Sequence, residues 1–60
     1  MATSEQCNEA WKNGFIAGHR TVRNTIPPIP PRPASHPGGV DPIDYFYRKG
    51  YELGVERARR

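Results

Sequence analysis

The chain has 60 residues, a formal net charge of +3, seven prolines, six glycines and an apolar fraction of 35%. A chain this short builds one small domain with a thin core, not an enclosed catalytic pocket of several hundred Å³. Its one cysteine excludes an internal disulfide and leaves a cysteine-based zinc site short of ligands. Nothing in the sequence approaches the roughly 20 apolar residues of a membrane span. Met1 to Gln6 has no basic stretch followed by an apolar one, so the reading is cytoplasmic and not secreted.

The first predicted element is a helix over about residues 4–23. Thr3-Ser4-Glu5-Gln6 fits a capping box, with the Thr3 hydroxyl and the Gln6 amide each satisfying a free backbone N–H. Glu5 suits the positive end of the helix dipole, and Arg20 and Arg23 suit the negative end. Cys7, Trp11, Phe15, Gly18 and Val22 recur at steps of three and four, which makes an apolar stripe. Cys7 on that stripe reads as a small buried hydrophobe.

Residues 25–40 follow as a linker inside the single domain 1–60. Pro27, Pro28, Pro30, Pro31, Pro33 and Pro37, then Gly38-Gly39, block helix and favour an extended polyproline II chain. Ile26 to Arg32 also satisfies the apolar-Pro-x-apolar-Pro-x-Arg pattern of a ligand for aromatic grooves. A semi-rigid spacer is the simpler reading, with prolines resting on Trp11 or a tyrosine.

The second helix is predicted over about residues 42–58. Asp41 is a good N-cap, Pro42 fits the first helical position, and Asp44 falls in the first turn. Ile43, Tyr47, Gly50, Tyr51, Gly54 and Ala58 form its stripe, with Phe46 and Leu53 on the edge. The fold class is therefore all-α: two amphipathic helices as a hairpin, joined by a proline-rich extended linker.

The helices repeat one another. Trp11-Lys12-Asn13-Gly14-Phe15-Ile16-Ala17-Gly18 aligns with Tyr47-Arg48-Lys49-Gly50-Tyr51-Glu52-Leu53-Gly54. Four helix-interior glycines cost about 1 kcal/mol each, so close packing must offset them. The expected packing set is Trp11, Gly14, Phe15, Gly18, Tyr47, Gly50, Tyr51 and Gly54, with aromatics of one helix covering glycines of the other. Phe46, Ile16 and Leu53 are then left for exposure.

With these motifs the chain resembles the ribosome modulation factor family. The resemblance lies in Glu9 to Gly18 and in Tyr47 to Gly54, and in the length, two-helix layout and basic balance of the chain. The acidic first ten residues and the longer, proline-richer linker depart from that family's pattern. The resemblance implies a small two-helix bacterial protein that binds the small ribosomal subunit, contacts ribosomal RNA, and lowers translation by favouring inactive ribosome dimers.

Lys12, His19, Arg20, Arg23, Arg48, Lys49, Arg57, Arg59 and Arg60 are the candidate RNA-binding residues. On charge alone, a solvated face with intrahelical pairs such as Arg48–Glu52 and Glu56–Arg60 competes evenly with that reading. A second reading, of a different class, is a protein-binding inhibitor or adaptor, such as a phage-encoded host modulator. It would use Pro27, Pro28, Pro30, Pro31, Arg32, Phe46 and Leu53. A thin core also leaves room for homodimerisation. His19 and His36 have no neighbouring acid or cysteine, Ser4 and Ser35 have no evident base, and the carboxylates sit at helix starts or among bases and form no catalytic pair. Hence no metal, cofactor or catalytic residue is expected.

Overall fold

The computed structural model describes residues 3–25 and 27–60. Met1, Ala2 and Ile26 lie outside the described residues, and with them the first position of the proline pattern and the start of the N-terminal segment. Helix α1 runs Ser4–Arg20 and helix α2 runs Pro42–Ala58. The two pack along their lengths, as an all-α pair joined by a proline-rich extended linker.

The helix starts follow the sequence. The Thr3 hydroxyl accepts from the Gln6 N–H at 3.1 Å, and the Gln6 side chain accepts from the Thr3 N–H at 3.0 Å. An Asp41 carboxylate oxygen accepts from the Ile43 N–H at 3.0 Å. The end of α1 comes three residues earlier than expected. The Thr21 hydroxyl and N–H both donate to the Gly18 carbonyl, at 2.7 and 3.2 Å. These short-range bonds close the helix at Thr21-Val22, two β-branched residues of low helix propensity.

Glycines set the register between the helices. A Cβ on Gly14 would strike the Tyr47 carbonyl oxygen, and one on Gly18 the Tyr51 carbonyl oxygen. In the other direction, Gly50 faces the Trp11 carbonyl and Gly54 the Phe15 carbonyl. Both sets of contacts advance together along the two helices, so α1 and α2 run side by side in the same direction. Each contact also maps onto another when Trp11, Gly14, Phe15 and Gly18 are exchanged for Tyr47, Gly50, Tyr51 and Gly54. The sequence repeat is therefore a spatial one, with a local two-fold axis along the pair. Gly-x-x-x-Gly on both helices lets the backbones close until glycine Cα–H groups point at facing carbonyls. Four such contacts, about 0.5–1 kcal/mol each, offset much of the helix-propensity cost of the glycines.

This geometry corrects the expected packing. Backbone, not aromatic rings, covers the glycines. Trp11 and Phe15 are buried, but the Tyr47 and Tyr51 rings leave the interface sideways and stay 41% and 37% exposed. Phe46, expected outside, is the residue that fills the core at 1% exposure, beside Cys7, Ala10 and Trp11. Leu53 is half-buried against the same cluster, and Ile16 is likewise half-buried.

A parallel pair needs a chain that returns from the end of α1 to the start of α2. Each 17-residue helix is about 25 Å long. The extended prolines, at about 3.1 Å per residue, cover that distance easily. On the way back the linker is anchored to the helices. The Trp11 indole N–H donates to the Pro30 carbonyl at 2.9 Å. The Arg32 guanidinium lies 4.6 Å from the Phe46 ring centroid, and its Nε donates to the Asn8 side-chain oxygen. The His36 ring meets Phe46 edge-on at 5.8 Å. Pro27 and Pro30 are half-buried, whereas Pro28, Ile29 and Pro31 are exposed, which is the threefold spacing of a polyproline II strap lying on a surface. Replacing Trp11 with Phe keeps the ring but removes the donor. We expect a loss of about 1 kcal/mol in urea unfolding, the usual net worth of such a bond. An unchanged midpoint would mean that the strap is not held there.

Candidate nucleic-acid interface

Because the helices run the same way, both C-termini lie at one end of the molecule. The sequence places arginines at both of those ends. Arg20 closes α1 and Arg23 follows it; Arg57 sits in the last turn of α2, Arg59 is its C-cap and Arg60 follows. Five arginines thus form one pole, and all five are exposed. The opposite pole collects Glu5 and Asp44 from the first turns of the helices, with Asp41 and Glu9 near them. Within each helix these charges complement the helix dipole. Parallel packing adds the two distributions, so the molecule is acidic at one end and basic at the other.

The pole is tied together by one of its own members. Arg23 Nε donates to the Ala58 carbonyl at 2.6 Å, satisfying a free carbonyl at the end of α2 from the end of α1. Among the described residues the ion pairs are Lys12–Glu9 at 3.8 Å, Arg48–Asp44 at 3.9 Å, Lys49–Glu52 at 3.6 Å and Arg60–Glu56 at 2.7 Å. All are exposed local pairs three or four residues apart, each worth a few tenths of a kcal/mol. Arg20, Arg57 and Arg59 have no such partner among the described residues. Their forked donors point to solvent and match the oxygens of a phosphate.

The other predicted RNA-binding residues lie elsewhere. Lys12, Arg48 and Lys49 stand along the flanks, paired with acids of their own helices, and Lys49 also lies 5.7 Å from the Tyr45 ring centroid. Arg48 pairs with Asp44 instead of the expected Glu52; the predicted Glu56–Arg60 pair is present. His19 is not at the surface. It is 7% exposed, stacked on Phe15 at 6.4 Å, and its Nδ1 has no hydrogen-bond partner. Its place is in the packing beneath the pole.

The protein-binding set is also divided by the structure. Pro27, Pro30 and Arg32 face the helix pair, and Phe46 lies under Arg32. A partner's groove could therefore reach Pro28 and Pro31 only along the outer side of the strap. Among the described residues no three His, Cys, Asp or Glu side chains converge as metal ligands, and no helix is long and apolar enough to cross a membrane. Compared with known proteins, the chain matches no family model, no curated protein and no solved structure.

Proposed function

We propose that this protein acts by stoichiometric binding, docking its arginine pole on the phosphates of a structured RNA. The observation that carries the reading is the convergence of Arg20, Arg23, Arg57, Arg59 and Arg60, which only the parallel helix pair brings about. Arginines at the ends of two rigid helices are pre-positioned, so little freedom is lost when they meet phosphates. The RNA we favour is that of the small ribosomal subunit, in the cytoplasm, because the paired aromatic-glycine motifs resemble those of the ribosome modulation factor family. The consequence would be modulation of translation without catalysis.

Co-sedimentation with bacterial ribosomes on sucrose gradients, at low and at moderate salt, tests this. The expected result is migration with the small subunit or with ribosome dimers, weakening as salt rises, since phosphate contacts release counterions. A protein that stays at the top of the gradient at both salt concentrations contradicts the ribosomal reading.

A further inference from the structure

The local two-fold axis gives the helix pair two related faces, and only one of them is covered. On the first, Trp11 of α1 packs in one cluster with Phe46 and Leu53 of α2, and the proline strap lies over it through Pro30, Arg32 and His36. On the second face, Tyr47 and Tyr51 stand in the positions of Trp11 and Phe15, and Ala10 and Ala17 in those of Phe46 and Leu53. Among the described residues no strap crosses this side. The tyrosine rings are exposed and lie 6.5 Å apart, 29° from parallel. Small residues opposite them leave an open groove of about 810 Å³, lined by Ala10, Ile43, Pro42 and Tyr47. Its rim carries Glu9 and Asp41, and among the described residues no basic side chain lines it.

We propose that this second face docks an extended, proline-containing, basic segment of another protein. The covered face shows what fits such a surface: a polyproline II strand whose carbonyl accepts from an aromatic N–H and whose arginine lies on a ring. Tyr47 and Tyr51 offer rings at the equivalent positions of the repeat, with hydroxyl donors in place of the indole. The acidic rim complements a basic residue of the ligand, as a rim of opposite charge would for any peptide. A prolyl segment is already extended, so it loses little entropy on binding. This surface is separate from the arginine pole, and the proposal does not rest on RNA binding.

The test is a titration of the isotope-labelled full chain with a synthetic peptide of its own strap sequence, Pro-Pro-Ile-Pro-Pro-Arg-Pro, followed by NMR. We expect saturable shifts at Ala10, Asn13, Tyr47 and Tyr51, with affinity falling about tenfold or more in Tyr47→Ala, as for an aromatic anchor. Glu9→Lys, at an exposed site, should weaken binding while changing the spectrum of the free protein only around Glu9 and its partner Lys12. Three results overturn the proposal. One is no saturable shift up to millimolar peptide. Another is shifts centred on Trp11 and Phe15, which would mean displacement of the strap. The last is concentration-dependent self-association through Tyr47 and Tyr51 without peptide, which would make a second copy the occupant.

Discussion

Gly50→Leu is expected to abolish the cooperative thermal unfolding of this protein. The position faces the Trp11 carbonyl and the Phe15 N–H, and even a Cβ has no room there. Backbone atoms cannot swing away as a side chain can, so the helices must separate. Overpacking alone costs about 1–3 kcal/mol where neighbours can adjust. A single core in a chain of this size rarely supplies more than about 3–5 kcal/mol in total. Gly50→Ala is the finer test. Helix propensity favours alanine by about 1 kcal/mol, so a helix not packed at that point should gain stability. The register predicts a loss. Gly38→Ala is the control, since nothing lies within 4 Å of an added Cβ. Circular dichroism melts of the three variants decide the matter. A melt of Gly50→Leu like that of the parent would show that the glycines are not the contact surface.

The second large effect is electrostatic. Reversing Arg20, Arg57 and Arg59 together to Glu is expected to weaken RNA binding by about a hundredfold or more, since each charge-assisted contact is worth about 1.5–3 kcal/mol. The slope of log affinity against log salt should flatten by about 0.7–0.9 for each phosphate that is no longer neutralised. Gln at the same positions separates phosphate contact from repulsion and spares the helix ends an added negative charge. Lys12→Glu and Arg48→Glu are the comparison, because both residues lie on the flanks and already pair within their own helices. If the flank variants weaken binding as much as the pole variants, binding is a diffuse charge effect and the pole is not the site. Filter binding or gradient co-sedimentation, with helicity checked by circular dichroism, gives the readout.

How much of this is legible in the sequence follows from which signals are local. The start of α1 rests on Thr3 and Gln6, three residues apart, and the start of α2 on Asp41-Pro42. Such caps act within one turn, so the sequence places them well. The C-terminus of α1 is harder, and periodicity alone carries the helix too far. Its stop is Thr21, whose hydroxyl can cap or continue a helix depending on the chain that follows. Burial of Cys7, Trp11 and Phe15 is readable as a stripe. The fates of Phe46 and Tyr47 are not, because the interface centres on bare backbone at the glycines. Rings beside such a contact are pushed to one flank or the other, and only the strap decides which flank is covered.

The arginine pole cannot be read without the helix direction. Spacing places Arg20 and Arg57 at the ends of their own helices and says nothing of which ends meet. The repeat says only that the two copies of Trp/Tyr-x-x-Gly-aromatic-x-x-Gly can meet symmetrically by their glycines. About an axis along the pair they run parallel; about an axis across the pair they would run antiparallel. A linker of 21–41, rich in proline and far longer than a tight turn, permits the return. His19 shows the opposite limit. A histidine among arginines looks like part of a basic face, yet its position one turn after Phe15 turns it inward.

Helix direction is the claim on which the pole, the two faces and the strap all depend. Its most direct measurement is paramagnetic broadening in the NMR spectrum of a Cys7→Ala, Arg59→Cys chain carrying one nitroxide. Parallel helices put the label beside the end of α1, as the Arg23–Ala58 bond does. The expected result is loss of amide signals around Thr21 to Asn24, with those of Glu5 to Asn8, about 25 Å away along the helix, retained. Broadening of Glu5 to Asn8 instead would mean antiparallel helices, and would contradict the account.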